Sequence, residues 1–350
     1  MSSMTSSWIR SVLLAVSIAF QWGCGVPGEP EPPADVQESP RQRAERLLST
    51  LAADSMEGRR TGSPGALRAA TFIADQLAAY GVEPAGEDGY FQRVPLVPVE
   101  RRGRQRLSLG SLDDLEDGTT DDVVIGRNVL GMVRGSDSSL VEQVVVVGAH
   151  FDHLGVGDDV DGDSIYNGAD DDASGVVAVL EAARALATGP SPRRTVVFAL
   201  FTGEEMGLLG TRFYLDHPTV PLERTIAELQ VEMIGRPDPI TGGPGRLWLT
   251  GFERSTIGDL LVEAGIPVVP DPRPEYNFFQ RSDNYPFAML GIPAHTLSSY
   301  NLHEDYHQPS DDIDHIDFDH MVAAIEVTVD AVRALADADE PPGWNEDGQP

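Results

Sequence analysis

An α/β fold built on a mostly parallel sheet is what this chain predicts, and three observations predict it. Apolar runs alternate with amphipathic segments over most of its length. Several runs, QVVVVGA and TVVFALFT above all, are continuously apolar, as in strands covered on both faces. Acidic and imidazole side chains stand just beyond the ends of those runs, where open parallel sheets gather their ligands.

The elements follow in order. Residues 11–20 (SVLLAVSIAF) form a short apolar core behind Arg10, and QWGCG follows. Such a run is too short to span a bilayer comfortably but suits a signal peptide, assigned to residues 1–24. Gly23 before Cys24 resembles a bacterial lipoprotein processing site, with Cys24 as the lipidated residue. Gln21 departs from the aliphatic residue usual there, so cleavage by the general signal peptidase is the alternative. The expected destination is export: periplasmic, membrane-anchored through Cys24, or secreted. Residues 25–40 are rich in Pro and Glu and read as a disordered tether. The catalytic domain is expected over residues 41–336, and a disordered acidic tail over 337–350.

Within the domain, Ala44, Leu47, Leu48 and Leu51 share one helical face. A loop at Ser55–Gly65 leads to a second helix over Ala66–Tyr80, with Gly81 placed to cap it. Residues 101–122 are polar and acidic and read as a surface hairpin or loop. NVLGMV, QVVVVGA, TVVFALFT, IAELQVEMI and GIPAHTLS are strand-like. Residues 173–187 form an amphipathic helix with Ser174 as its candidate cap. Ser255–Ala264 and Asp319–Ala336 complete the alternation.

Composition excludes several functions. Lys+Arg number 25 against 56 Asp+Glu, a net charge of −31, which repels nucleic acid and anionic lipid. There is no lysine, so Schiff-base, serine–lysine and phosphate-loop chemistries are excluded. Cys24 is the only cysteine, which excludes intramolecular disulfides and a cysteine-rich zinc site.

The remaining chemistry points to metal. His150, Asp171, Glu205, Glu232 and His307 are two imidazoles and three carboxylates, a set suited to two zinc ions sharing one carboxylate. Cobalt or manganese suits the same donors. Glu204 is a spare acid beside Glu205 and a candidate general base. Asp152 can take the proton of the second His150 nitrogen and orient the ring. His153 is read as a loop residue rather than a ligand, and His303 as solvent-facing. His295 reads as core or pocket wall; His217, His315 and His320 read as surface. Tyr276–Phe279 are candidate pocket aromatics, with packing as the simpler role.

FQRVPLVPV, NVLGMVRG, VVVVGAHFDHLG, NGADDDASGVVAVLE, FALFTGEEMGLLGTRFY, VEMIG, RSDNYPFAMLGIPA and EDYHQPSDDID together resemble the co-catalytic zinc aminopeptidases of metallopeptidase family twenty-eight, clan MH. The resemblance runs from about residue 41 to 335. It implies a three-layer α/β/α sandwich around a mixed, mostly parallel sheet, and hydrolysis of N-terminal residues from peptides. Carried over, Asp171 would bridge two zinc ions, with Asp170 and Asp172 as runners-up. His150 and Glu232 would complete one site, Glu205 and His307 the other, with Glu204 as base and Asp152 behind His150. Glu232 stands where the family commonly has Asp, and Asn284 where it often has His. The alternatives are a single-zinc glutaminyl-cyclase-like acyltransferase, a carboxypeptidase on the same fold, and a non-catalytic receptor-like relative.

Overall fold

The computed structural model describes residues 38–101, 104–113 and 123–350, and Glu38–Pro350 form one compact unit. The expected signal peptide, Cys24 and nearly all of the tether lie outside the described residues. No helix among the described residues is long and apolar enough to cross a membrane.

Helix α1 (Pro40–Leu51) starts where local chemistry directs. Ser39 Oγ accepts from the Gln42 backbone while the Gln42 side chain reaches back to the Ser39 N–H, a reciprocal capping box. Ser63 Oγ caps α2 (Pro64–Ala79) by accepting from the Ala66 N–H, and Gly81 follows at φ 77°, the left-handed conformation that closes a helix. Between them a turn over Asp54–Arg59 replaces the simple loop expected there.

Among the described residues, twelve strands follow from Glu83 onward. Ten belong to the main sheet: β1 (Glu83–Pro84), β2 (Phe91–Arg101), β3 (Arg104–Leu109), β4 (Val124–Val133), β5 (Val144–His150), β8 (Thr195–Phe201), β9 (Thr225–Val231), β10 (Leu247–Leu249), β11 (Val268–Pro270) and β12 (Ala294–Ser298). β6 (Gly155–Val160) and β7 (Asp163–Tyr166) form a separate hairpin. The main path is β11-β10-β12-β9-β5-β8-β4-β2-β3, with β1 beside β4. Strands β12, β9, β5 and β8 are mutually parallel and form the centre. β4, β2 and β3 continue antiparallel on one side, and β10 runs antiparallel to β12 on the other. The sheet is mixed, its parallel part being the centre and the β10–β11 edge.

The continuous apolar runs are explained by two covered faces. Val145, Val147 and Ala149 of β5, with Val196, Phe198 and Leu200 of β8, pack against α1, α2, α3 (Gly175–Thr188) and α7 (Phe318–Asp337). Val144 and Val146, with Val197, Ala199 and Phe201, face Tyr214 of α4 (Leu209–Asp216) and Phe287 of α6 (Asn284–Met289). Short α5 (Ile257–Glu263) joins the first face. The result is a three-layer α/β/α sandwich. Truncating a fully buried leucine such as Leu47 to Ala in such a layer costs about 2–5 kcal/mol.

β9 departs from the pattern. Ala227, Leu229 and Val231 face the large core, but Glu228 and Gln230 are buried on the opposite face. Gln230 donates to Asp283 at 3.3 Å, whereas neither Glu228 oxygen has a partner among the described residues. Burial pushes the Glu228 carboxyl well above the ordinary range.

Two expectations are corrected. Ser174 does not cap α3: its backbone is already helical, and its hydroxyl donates to the Asp170 carbonyl and accepts from Ile234 N–H. The polar segment after α7 is packed rather than disordered. Trp344 donates to the Gly291 carbonyl at 2.8 Å, and Arg254 donates to the Gly348 carbonyl at 3.0 Å. Polarity does not prevent packing where backbone groups are paired this way.

Candidate metal centre

Parallel register aligns the carboxyl ends of the central strands. His150 is the last residue of β5 and pairs with Phe201, the last of β8. Glu204 and Glu205 follow in the turn after β8, and Glu232 follows β9 directly. Asp171 lies in the Ala169–Ser174 turn before α3, and His307 in the loop between β12 and α7. His307 adopts φ 58°, with its ring stacked 3.9 Å from that of Tyr306. Gly168 starts the Asp171 turn at φ 57°, and a Cβ there would lie 2.2 Å from the Asp171 carbonyl oxygen. Only glycine fits.

Asp171 presents one carboxylate oxygen to each histidine. Its Oδ1 lies 3.2 Å from His150 Nε2, and its Oδ2 lies 3.2 Å from His307 Nε2. Glu205 Oε1 is 3.3 Å from His307 Nε2 and 2.9 Å from His153 Nδ1. His150, Asp171 and Glu232 bring ligand atoms within 4.8 Å of one another, as do His153, Asp171 and Glu205. The two other aspartates are committed elsewhere. Asp172 Oδ1 accepts from the backbones of Met233 and Gly175, and Asp170 Oδ1 from that of Gly235. Asp171 is therefore the one of the three that faces the histidines.

These donors fit a metal. Zinc bonded to N and O at 2.0–2.1 Å in a tetrahedron holds its ligands about 3.3–3.4 Å apart, close to the spacings above. His150 Nε2 and Glu205 Oε1 are buried with no hydrogen-bond partner among the described residues, although opposite charges stand nearby. The cluster is also short of positive charge. Burial works against a charged His307, but Asp171 and Glu205 outweigh it and hold the imidazole up at about 10. Burial and Asp171 work against a charged Glu205, but His153 and His307 hold it down at about 2. A divalent cation satisfies the same carboxylates without those protons.

His150 Nδ1 lies 3.1 Å from the backbone carbonyl of Asp152, an acceptor, so Nδ1 holds a proton and Nε2 is the nitrogen left to face a metal. The expected carboxylate partner is thus corrected. The Asp152 carboxylate is 3.8 Å from Nδ1, and it accepts instead from Thr61 Oγ1 at 2.8 Å and the Glu204 N–H at 3.1 Å. The chain turns after β5, so the carbonyl of residue 152 reaches the ring first while its side chain anchors the Glu204 turn.

Glu204 lines a partly open cavity together with Asp171, Glu205, Glu232 and His307. Trp248, Phe278, Tyr300 and Tyr306 form the aromatic wall, beside Arg281. Of the expected aromatics, Phe278 reaches the cavity; Tyr276 stacks on it from outside, and Phe279 packs under Arg254. Asn284 is fully buried, bonded to the Phe279 carbonyl and to Thr296 Oγ1, and serves packing rather than the cavity.

His303 and His320 differ from expectation, and His153 is a loop residue that the fold seals in. His153 is fully buried beside Glu205. His303 Nε2 lies 3.1 Å from Asp170 Oδ2. His320 is fully buried, accepting from Gly245 N–H and lying 3.0 Å from Ser299 Oγ. His295 is core, as expected, between Ser255 and Thr250. His217 and His315 are exposed.

Two bracing residues are not among the expected site residues, although Asp311 lies within the EDYHQPSDDID segment. Arg59 is fully buried, and its guanidinium donates to the carbonyls of Leu51, Phe151, Asn167 and Gly168. It ties the loop after β5 to the turn that carries Asp171. Burial lowers its pKa to about 10, still well inside the charged range at neutral pH. Asp311 accepts from the backbones of Asp170 and Asp171 and pairs with Arg236 at 3.2 Å. Unusual burial of a charge marks the bracing role of both, and it exists only in the fold.

A three-layer sandwich with histidines and carboxylates at the carboxyl ends of its parallel strands defines a metal-site α/β protein. The family model of peptidase family M28 matches residues 128–332, and the chain belongs to that family. The probable lipoprotein aminopeptidase LpqL of Mycobacterium tuberculosis is 29% identical over 230 residues, 55% of this chain and 42% of that protein. The probable leucine aminopeptidase 2 of Aspergillus fumigatus is 28% identical over 251 residues, 70% of this chain and 45% of that protein. The chain spans less than half the length of these curated relatives. Among solved structures, BSAP, a zinc aminopeptidase from Bacillus subtilis, superposes with a TM-score of 0.61 at 16% identity, covering 86% of this chain and 96% of that one. The glutaminyl cyclase of Porphyromonas gingivalis gives 0.58 at 16%, covering 83% and 97%. At such identities these likenesses establish the fold.

Proposed function

We propose that the protein is a metal-dependent exopeptidase that removes N-terminal residues from peptides, using two zinc ions shared through Asp171. One observation carries the reading: the two Asp171 oxygens each face a different histidine at 3.2 Å, with Glu204 in the same cavity. His150 and Glu232 would hold one ion, and His307 and Glu205 the other. Bound there, the metals supply an acidified water and polarise the scissile carbonyl. The Glu204 carboxylate takes the proton of the attacking water and returns it to the leaving amine. Asp152 and Thr61 hold the Glu204 turn in place. The acids around the cavity attract a free α-amine, and the aromatic wall accepts an apolar side chain next to it.

We also propose export, on the basis of the apolar run before Cys24; the lipoprotein wording in the name of the mycobacterial relative agrees with it. Lipidation at Cys24 would attach the protein to the membrane surface.

The deciding experiment is a panel of aminoacyl and peptide substrates, free and N-acetylated, assayed with metal-loaded and chelator-treated protein. Chelator-sensitive cleavage of free but not acetylated substrates is expected. Cleavage from the carboxyl end would overturn the aminopeptidase reading. Cyclisation of N-terminal glutamine with one metal per chain would replace it by the cyclase reading.

A further inference from the structure

We infer that His153 is a fourth protein ligand of the metal beside Glu205 and His307, which leaves the open coordination position on the His150 side. The inference rests on the two-metal reading above and adds an asymmetry to it.

His153 lies three residues beyond His150, in the loop that leaves β5, and is fully buried. Neither of its ring nitrogens has a hydrogen-bond partner among the described residues. A buried imidazole with both nitrogens unpaired is costly, and such groups are rare unless a ligand completes them. Its Nδ1 is 2.9 Å from Glu205 Oε1 and 3.8 Å from Asp171 Oδ2. His307 Nε2 is 3.3 Å and 3.2 Å from those same two atoms. Two imidazole nitrogens thus converge on one pair of carboxylate oxygens. The distances bracket the roughly 3.3–3.4 Å edge of a tetrahedral zinc site with N and O donors.

The ring planes agree. His153 and His307 meet edge to face, 5.6 Å between centroids and 69° between planes, so they do not stack. Gly168 fixes the orientation of His153, since a Cβ there would lie 2.6 Å from the ring. A simple brace is the competing role, with Nδ1–H donating to Glu205. At 2.9 Å the distance allows it, but it would leave Nε2 buried without a partner among the described residues and would not account for the approach of His307 to the same two oxygens.

The two halves of the centre then differ in kind. His153, His307, Glu205 and Asp171 close one tetrahedron with protein atoms alone. His150, Glu232 and Asp171 supply three donors, and a three-donor zinc site keeps one position for water or substrate. Glu204 lines the cavity that this position would open to.

Metal-free protein titrated with cobalt(II) tests this without reference to turnover. Wild-type protein is expected to bind two cobalt ions, the tighter one with the intense visible absorption of four-coordinate cobalt. His153→Ala should lose that absorption and weaken the tighter site on the order of 100-fold or more, beyond what loss of an outer partner costs. An unchanged spectrum and affinity in His153→Ala, with two ions bound, overturns the His153 assignment and leaves the two-metal reading intact. A wild-type protein that takes up only one ion overturns both. X-ray absorption of the zinc-loaded wild type removes dependence on the folding of the variant. Three imidazoles per two zinc ions support the assignment, and two overturn it.

Discussion

A 2.8 Å hydrogen bond from the Arg59 guanidinium to the Gly168 carbonyl joins the turn before α2 to the turn that presents Asp171. The same side chain holds the Phe151 carbonyl at 2.7 Å, one residue beyond His150. One buried cation therefore sets the separation between residues on both sides of the candidate centre. Replacing it with Met leaves four carbonyls without this partner, and each charged hydrogen bond contributes about 1.5–3 kcal/mol. Arg59→Met should lower the urea unfolding free energy by at least about 4 kcal/mol. A loss below about 1 kcal/mol would show that the clamp does not hold the site.

Metal removal should destabilise the fold. The carboxylates of Asp171, Glu205 and Glu232 crowd one end of the sheet, and a ligand at 1,000 times its Kd adds about 4 kcal/mol per site. Thermal unfolding with chelator should occur several degrees below that with zinc. Coincident curves would argue that these side chains do not bind the ion.

Glu204→Gln keeps the size of the side chain and removes its proton-accepting capacity. Turnover should fall on the order of 10²–10⁴-fold with metal content unchanged. Full activity in this variant would remove Glu204 from the mechanism.

Stability should fall in mild acid through His295. Burial depresses its pKa to about 4, against an ordinary value of 6.5. Its Nδ1 lies 2.7 Å from the Thr250 carbonyl and its Nε2 2.6 Å from Ser255 Oγ, an arrangement that suits the neutral ring. Between pH 6.5 and 4 the unfolded chain binds the proton that the folded chain refuses, so this contribution is full above 6.5 and lost as pH falls. The gap in unfolding free energy between wild type and His295→Gln should shrink by about 3 kcal/mol across that window. A gap independent of pH would refute the assignment.

Much of this was legible because it is periodic or local. Alternating runs locate β5, β8 and β9, and their unbroken apolarity requires two covered faces, which α1, α2, α3 and α7 on one side and α4 and α6 on the other provide. His150, Glu204, Glu205 and Glu232 stand beside strand ends, so a parallel sheet had to bring them to one edge. The roles of Ser174, Asp152 and the C-terminal segment are not legible in the sequence because each depends on a partner far along the chain. Ser174 is taken by Ile234, the Asp152 carboxylate by Thr61, and the C-terminal segment by Arg254 and Gly291.

The layers and the family are legible in the sequence, because strand period, turn glycines and donor chemistry are written in adjacent residues. Where each histidine and carboxylate points depends on the fold. It turned Asp170 and Asp172 toward backbone N–H groups, buried His153 against Glu205, and placed Arg59 under both loops. The physical reason is burial. A histidine in a loop is solvent-facing by default, and whether it is sealed among carboxylates depends on segments that meet only when the sheet closes.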